Sequence, residues 1–349
     1  MTLPIARPFE PMLAKLSREV PARDDCVFEP KWDGFRCIVF RDGDELDLQS
    51  RNAKPLLRYF PELREPMLAM LPQQCVLDGE LIIMGPNGLE FDSLQLRQHP
   101  AESRIRKLSV EIPATFVAFD IIALGAESLL ATPMGERRAI LASVLANAKP
   151  PIIMTPATTD HRVAQEWFHR FEGLGFDGLI AKPLADPYAP GMRTLLKIKH
   201  ERTCDCVIAG FRIHKDGDGV GSLVLGLYDG DGQLQHVGVA AGINAKLRRE
   251  LLEQFAPYRE GALEGHPWRE WATAEIGPGG GSRWNASKDL SWEPLRLELV
   301  AEVAYEGLLN GRFRHNARFR HVRTDRDISG CRFDQLEAVA SSDIGDLFR

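Results

Sequence analysis

The stretch Lys31-Trp32-Asp33-Gly34-Phe35-Arg36 decides how this chain is interpreted. A lysine, an aspartate, a glycine and an arginine at these positions arise by chance in about one sequence of this length in several hundred. A lysine becomes a nucleophile when a nearby cation or a dry pocket favours loss of its proton. Gly34 permits the tight turn that lets Lys31 and Arg36 face one ligand. The motif therefore predicts a nucleophilic lysine, and the alternative is an ordinary surface lysine in a turn.

Five more short motifs follow this one along the chain. They are Ser50-Arg51-Asn52, Asp78-Gly79-Glu80, Phe119-Asp120, Asp177-Gly178-Leu179-Ile180-Ala181-Lys182 and Lys197-Ile198-Lys199. Each motif alone fits a turn, a core aromatic residue or a solvated strand face. In this order, however, the set resembles the covalent nucleotidyltransferases, a superfamily that comprises ATP- and NAD-dependent DNA ligases, RNA ligases and mRNA capping enzymes.

The resemblance is strongest to small bacterial ATP-dependent DNA ligases of the LigC type. It extends from Pro8 to about Arg332, and the segments 186–193 and 311–315 also look like that subgroup. It implies three steps: Lys31 takes AMP from ATP, AMP passes to the 5′-phosphate of a nick in duplex DNA, and the 3′-hydroxyl then displaces AMP. A role in DNA repair, together with other repair proteins, follows from the same resemblance.

The resemblance also implies roles for individual residues at the nucleotide. Glu29 lies along the adenine and Phe119 stacks on the base. Lys197 and Lys199 neutralise the α-phosphate in the transition state, and Arg51 grips the 5′-phosphate at the nick. The residues expected to bind ATP are Glu29, Lys31, Arg36, Arg51, Glu80, Phe119, Lys197 and Lys199.

A divalent metal, Mg²⁺ or Mn²⁺, is expected to bind Asp177 and Glu80, because carboxylate oxygens are hard ligands. The related ligases ordinarily carry glutamate at the position of Asp177, so the side chain here is one methylene shorter. Further along, Arg323-Thr324-Asp325-Arg326 stands where many relatives have R-x-D-K. Since arginine keeps the charge, Arg323 and Arg326 are expected to orient the pyrophosphate leaving group and to count among the catalytic residues.

The distribution of apolar runs predicts an α+β fold. Short strands such as Cys37–Phe40, Cys75–Met84 and Thr115–Leu124 alternate with helical patterns such as Met134–Asn147. The resemblance implies that residues 1–201 form a nucleotidyltransferase (adenylation) domain with antiparallel sheets and flanking helices.

The pattern changes beyond this domain. Three short strands, a helix capped by Asn244, and two further strands at Leu295–Tyr305 and Arg312–Arg320 fit a five-stranded oligonucleotide-binding (OB) barrel. The barrel is expected to occupy residues 202–333, and residues 334–349 are expected to form an acidic C-terminal tail.

Composition narrows the class of protein further. The net charge is −6, yet six arginines lie between Gly311 and Arg326 against the single acid Asp325. Such a basic stripe binds phosphate, although a solvated charged face is the alternative. Six scattered cysteines indicate reduced thiols, and no apolar run approaches the ~18 residues of a membrane span. We therefore expect a cytoplasmic protein that has no membrane contact, and the resemblance implies a nucleoid-associated monomer that binds nicked DNA.

Three other functions remain open on the sequence. An RNA ligase or an mRNA-capping guanylyltransferase shares the K-x-D-G motif, although Ser50-Arg51-Asn52 favours a DNA ligase. A non-catalytic DNA-binding module that uses only the barrel and the basic stripe is the alternative of another class. An NAD-dependent ligase is disfavoured, because the residues that precede Lys31 leave little room for a nicotinamide-binding region.

Overall fold

The computed structural model describes residues 3–86, 88–170, 174–199, 201–273, 291–309 and 311–336. These residues form two compact units, one that extends to residue 199 and one that begins at residue 201. Both units combine sheets with helices, so the predicted α+β class is confirmed. Among the described residues, no helix has the length and apolar character needed to cross a membrane.

The first unit contains strands and helices that alternate along the chain. Its described strands are β1 (Leu13–Ser17), β2 (Cys26–Pro30), β3 (Phe35–Asp42), β4 (Glu45–Ser50), β5 (Gln74–Ile82), β6 (Met84–Gly85), β7 (Gly88–Leu89), β8 (Thr115–Leu124), β9 (Glu127–Ser128), β10 (Ile152–Met154), β11 (Leu179–Pro183) and β12 (Arg193–Ile198). Its described helices are α1 (Arg64–Met70), α2 (Phe91–Leu96), α3 (Glu102–Glu111), α4 (Met134–Val144) and α5 (His161–Arg170).

Two sheets carry the functional motifs of this unit. The larger sheet has the order β10-β8-β5-β3-β4, with β9 paired to β8, and the smaller sheet has the order β1-β12-β11-β2. Most neighbours are antiparallel as predicted, but β1 pairs with β12, and β10 with β8, in parallel. The central strands β5 and β8 are buried along almost their whole length. Their long apolar runs are therefore typical of strands that are covered on both faces.

Helix starts in both units follow the sequence signals. The Asp160 carboxylate accepts hydrogen bonds from the backbone N–H groups of Arg162 and Val163 at 2.7 and 3.3 Å, and so caps α5. The Asn244 side chain accepts from the N–H of Leu247 at 3.0 Å and caps the helix that follows it. Each cap satisfies donors that the first turn of a helix leaves without a partner. The predicted cap at Asn244 is confirmed.

The second unit is a barrel. Its described strands are β13 (Arg202–Ile213), β14 (Val220–Tyr228), β15 (Leu234–Ala241), β16 (Glu293–Pro294), β17 (Val300–Tyr305), β18 (Leu308–Leu309), β19 (Arg312–Phe313) and β20 (Ala317–Arg323), and its described helices are α6 (Ala245–Phe255) and α7 (Arg269–Thr273). Strand β13 pairs with both β14 and β17, while β15 pairs with β20 in parallel and β20 with β17. This closed order, with α6 between β15 and β17, is that of an OB barrel.

The ends of the barrel strands differ from the predicted ones. The strand predicted at Leu295–Tyr305 begins only at Val300, and the strand predicted at Arg312–Arg320 is divided into β19 and β20. Packing also continues past residue 333, because the side-chain amide of Gln335 donates to the backbone oxygen of Asp205 at 2.8 Å and accepts from its N–H at 2.9 Å. The rest of the expected tail, from residue 337, lies outside the described residues.

The three segments that carry Lys31, Asp177 and Lys199 meet at Gly178. The Gly178 backbone has a φ of +115°, and a Cβ atom there would lie 1.9 Å from the carbonyl oxygen of Ile198. The Gly178 carbonyl also accepts a hydrogen bond from the N–H of Lys31 at 2.8 Å. Only glycine satisfies both the backbone angle and the close approach of β12.

We therefore predict that Gly178→Ala destabilises the first unit by about 2–3 kcal/mol, since it adds backbone strain and a clash with β12. Urea unfolding followed by tryptophan fluorescence measures the change. Gly135→Ala, at a position in α4 where a Cβ would meet only ordinary contacts from 3.5 Å outward, is the matched control. Equal stability of the two variants would contradict the prediction.

Candidate active site

A cleft of about 300 Å³ opens in the first unit between residues of both sheets. A volume of this size lies at the lower end of the range for small-molecule pockets. The residues that the sequence assigned to ATP all line it: Glu29, Lys31, Arg36, Arg51, Glu80, Phe119, Lys197 and Lys199. Motifs separated by up to 170 positions, from Glu29 to Lys199, are thus brought to one place.

Lys31 lies directly after β2, and its side chain reaches the cleft. Its Nζ is 2.5 Å from Oδ2 of Asp177, and the Nζ of Lys199 is 2.9 Å from the same oxygen. Burial alone would raise the pKa of the Asp177 carboxyl, but the positive charges of Lys31 and Lys199 outweigh burial and hold it below its ordinary value. One carboxylate therefore holds two of the predicted catalytic amines at the cleft.

The guanidinium of Arg36 is held in place by the buried carboxylate of Asp78. Its Nε and one terminal nitrogen each donate to Asp78 at 2.6 Å, and Asp78 has no exposed surface. The Tyr188 hydroxyl also donates to Asp78 at 2.6 Å. Burial and the negative charge of Asp78 raise the pKa of Tyr188, so the hydroxyl keeps the proton that it donates. The guanidinium of Arg36 lies 4.5 Å from the ring centroid of Phe119, a cation–π contact that orients the ring.

Glu29 also belongs to a buried set of charges. Its side chain is only 2% exposed, and its two oxygens lie 2.8 Å from Arg138 and 2.7 Å from Lys182. Lys182 further donates to the backbone oxygen of Phe119 at 2.9 Å, and its Nζ lies 4.7 Å from the Phe119 ring centroid. Paired in this way, a carboxylate tolerates burial that it would not tolerate alone.

Glu80 differs from its neighbours because its carboxylate has no hydrogen-bond partner among the described residues. It lies opposite Arg36 in the pairing of β3 with β5. Burial raises the pKa of Glu80 to about 7, although Arg36 and Lys31 act in the opposite direction. Near neutral pH this carboxyl is therefore balanced between its charged and uncharged forms.

The barrel arginines Arg323 and Arg326 differ in how they are held. Arg323 forms a two-pronged pair with Asp325 at 2.8 Å and also lies 3.4 Å from Asp205 and 3.3 Å from Glu302. Hydrogen bonding to Asp325 raises the pKa of Arg323 beyond its already high value. Among the described residues, Arg326 forms one ion pair, from its Nε to Asp205 at 3.4 Å, and its side chain is 59% exposed.

The other arginines of the predicted basic stripe are also partly paired. Arg318 and Arg320 both contact the carboxylate of Glu201. Arg312 lies 2.6 Å from the ring of His236. Burial, together with nearby arginines, lowers the pKa of His236 to about 3, so the ring is uncharged and accepts from Arg312. The stripe therefore carries less net positive charge than the sequence alone indicates.

Comparison with known proteins decides the family. The model of the ATP dependent DNA ligase domain matches residues 11–199, and that of the ATP dependent DNA ligase C terminal region matches residues 216–326. The chain is 49% identical to DNA ligase C2 of Mycolicibacterium smegmatis over 98% of both chains, and 48% identical to DNA ligase C of Mycobacterium tuberculosis over 99% of both. This chain belongs to the ATP-dependent DNA ligases. The predicted family is confirmed.

A solved structure of a Lig E DNA ligase supports the fold of this ligase. The two share a TM-score of 0.58 at 16% identity, and the match covers 89% of this chain and 99% of the other. The general mechanism of the family is sealing of DNA nicks through a lysyl–AMP intermediate, so the ligase is an enzyme that uses ATP and acts on DNA. The RNA ligase, capping enzyme and non-catalytic module considered above find no support.

Asp177, which was expected to bind a metal, is not among the residues that line the cleft. One of its oxygens is held by the amines of Lys31 and Lys199. Aspartate is shorter than the glutamate usual in ligases, which keeps this carboxylate close to the strand ends where the two lysines meet. In this structure Asp177 therefore acts as a partner of the lysines.

Three residues of the site were not predicted from the sequence. Lys182 ends a motif that was identified, but only the structure places its amine beside Glu29. Arg138 comes from α4, 109 positions away from Glu29, and Tyr188 reaches Asp78 across 110 positions. A single sequence holds no local signal for such contacts. The apolar spacing around Arg138 indicated only a helix.

The raised pKa of Glu80 predicts how the stability of the ligase depends on pH. Below pH 4.5 the carboxyl is protonated in both the folded and the unfolded chain, whereas between pH 4.5 and about 7 only the unfolded chain is ionised. Stability is therefore lost as the pH rises through this window, by up to ~3 kcal/mol. Glu80→Gln should remove this loss of stability. It should therefore raise the urea concentration at the midpoint of unfolding at pH 8 but not at pH 4.5.

Urea unfolding at both pH values, with EDTA present to remove divalent metal, tests this expectation. Glu65→Gln, at a side chain that is 87% exposed on α1, should show no such difference between the two pH values. A Glu80→Gln variant that is equally stabilised or destabilised at both pH values would refute the assignment.

Proposed function

We propose that Lys31 is the residue of this ligase that accepts AMP from ATP. The proposal is supported by the position of its amine at a nucleotide-sized cleft that is also lined by Arg36, Arg51, Lys197 and Lys199. After one proton has passed from the ammonium group to solvent, the neutral amine attacks the α-phosphorus. The P–N bond forms as the bond from the α-phosphorus to the pyrophosphate oxygen breaks, pyrophosphate leaves, and a second proton passes from the nitrogen to solvent. These cations offset the negative charge that develops on the phosphate oxygens.

Two further displacements complete the reaction. An oxygen of the 5′-phosphate at the nick attacks the phosphorus of the lysyl–AMP; the P–N bond breaks, the nitrogen takes up a proton from solvent to restore the amine, and adenylylated DNA forms. The 3′-hydroxyl then attacks the 5′-phosphorus, AMP leaves, and the hydroxyl proton passes to solvent. Arg51, at the exposed end of β4, is our candidate for holding the 5′-phosphate.

The pair between Lys31 and Asp177 must open for the first step. While it is closed, the Lys31 amine is held 2.5 Å from an oxygen of the Asp177 carboxylate. Adenylylation converts the amine into an uncharged phosphoramidate, so that Asp177 retains only Lys199 as a cationic partner. We propose that this loss of one positive charge frees Asp177 for other contacts in the later steps.

Glu80 suits a divalent cation, Mg²⁺ or Mn²⁺. Its carboxylate lines the cleft and has no hydrogen-bond partner among the described residues, so its oxygens are available as metal ligands. Asp177 would join it only after release from Lys31. A bound metal supplies a positive charge to the phosphates of ATP. Glu80 lies on β5, so the carboxylate oxygens that it would offer to the metal are held at a fixed position.

We further propose that the ligase acts as a monomer on nicked DNA in the cytoplasm, at the nucleoid, where both ATP and chromosomal DNA are present. Gap-filling synthesis during repair leaves nicks with a 5′-phosphate and a 3′-hydroxyl, so this class of reaction supplies the substrate. Other DNA-repair proteins would then be its partners.

Loss of the amine should abolish the covalent intermediate. Incubation with α-³²P-labelled ATP and Mg²⁺ should label the wild-type protein, whereas Lys31→Ala and Lys31→Arg should take up no label, because neither side chain offers a neutral amine. Lys107→Ala, at a 61% exposed lysine on α3, is the control and should be labelled like the wild type. A labelled Lys31→Ala protein would refute the proposal.

The two barrel arginines should respond differently to substitution. Arg326→Ala should slow self-adenylylation at least roughly tenfold while it spares the sealing of pre-adenylylated nicks, because the exposed guanidinium is available to pyrophosphate. Arg323→Ala should instead lower thermal stability, since three carboxylates lose their shared cation. Equal loss of both steps in Arg326→Ala would count against its role.

A further inference from the structure

Arg138 lies behind the wall of the cleft and is not one of its lining residues. It projects from α4, where one terminal nitrogen donates to Oε1 of Glu29 at 2.8 Å and the other donates to the backbone oxygen of Thr155 at 3.0 Å. Thr155 is 1% exposed, and its hydroxyl accepts from the indole N–H of Trp32 at 2.8 Å. Arg138 is therefore anchored at both ends of its guanidinium and reaches the cleft only through Glu29.

The two cations beside Glu29 differ in what else they do. Lys182 contacts Oε2 at 2.7 Å and also donates to the backbone of Phe119, so it ties Glu29 to the strand that carries the aromatic ring. Arg138 contacts the other oxygen and links it to the backbone oxygen of Thr155. The terminal torsion of a glutamate is broad when nothing restrains it. Two cations on opposite oxygens restrain the plane of this carboxylate, and one cation would not.

The chemistry of a carboxylate held in this way is selective. An ionised carboxylate only accepts hydrogen bonds. A purine with an amino group at position 6 donates there, whereas a purine with an oxo group at position 6 places a second acceptor against the carboxylate, and that oxo group is left without a donor. A buried polar group left unpaired costs much more than a missing contact in water, so a fixed acceptor rejects the oxo purine strongly.

We propose that Arg138 is a positioning residue that fixes the Glu29 carboxylate and thereby sets the preference of this ligase for a 6-aminopurine nucleotide over a 6-oxopurine nucleotide. The inference rests on the proposed function in that Glu29 faces the base. Arg138 itself touches no nucleotide. Its effect is confined to the orientation of one acceptor in the cleft wall.

The test compares α-³²P-labelled ATP with α-³²P-labelled GTP as donors for self-adenylylation or self-guanylylation of the full chain. Arg138→Gln should raise the KM for ATP about tenfold and leave kcat within about twofold, because a charged hydrogen bond that orients the base contact is lost. The ratio of kcat/KM for ATP to that for GTP should fall by about the same factor. Arg138→Met, a second uncharged variant, should give the same ratio, and Arg138→Lys should recover part of it.

Two comparisons separate positioning from a merely structural role. Arg162→Gln removes an exposed arginine that pairs with Glu166 on α5 and should leave both nucleotides unaffected. In a Glu29→Gln background, where the acceptor is already altered, Arg138→Gln should not change the ratio further. A general loss of folded protein would instead lower the use of both nucleotides equally.

The possible failures are distinguishable. Absence of label in the wild-type protein would overturn the proposed function of Lys31 itself. Label in the wild type, with an unchanged ATP-to-GTP ratio in the folded Arg138→Gln or Arg138→Met protein, would overturn only the role of Arg138. An additive effect of Arg138→Gln in the Glu29→Gln background would also overturn it, since Arg138 would then act by another route.

Discussion

The close approach of three strand ends at Gly178 is the constraint on which the site depends. Lys31 follows β2, Asp177 and Gly178 precede β11, and Lys199 follows β12. Because a carbonyl oxygen of β12 would lie 1.9 Å from any Cβ at position 178, the strands come together only around a glycine. The carboxylate of Asp177 then holds both amines within 2.9 Å. Local backbone geometry thus places the amines of Lys31 and Lys199 side by side at the cleft.

The walls of the cleft combine apolar side chains with charges that are paired behind them. Arg36 is held by Asp78, and Glu29 is held by Arg138 and Lys182. A buried charge without a partner is costly, so each group that faces the cleft needs a second group behind it. Such pairs also restrict rotation, which preserves the orientation of the groups that face the cleft. Glu80 is the exception, since it combines a raised pKa with a carboxylate that no described residue engages by a hydrogen bond.

The barrel shows the same principle on an exposed surface. An acidic chain of net charge −6 concentrates arginines on β20, and barrel carboxylates such as Glu201 and Asp205 pair with many of them. The more exposed pairs, those that Glu201 makes with Arg318 and Arg320, contribute little stability, since water screens them. They do, however, lower the local positive charge, which limits indiscriminate attraction to phosphate. Arg326 is the more exposed of the two arginines in its motif.

The sequence by itself determined the chemistry of this ligase: the order of its short motifs named the residues that line the cleft, and apolar periodicity located most of the strands and the cap at Asn244. It did so because turns, caps and alternating faces are set by neighbouring residues. Only the tertiary structure decided the parallel edge strands, the pairing of Asp177 with two lysines, and the support of Glu29 by Arg138. These features join residues more than a hundred positions apart, and long-range contacts depend on how whole elements pack rather than on any local pattern.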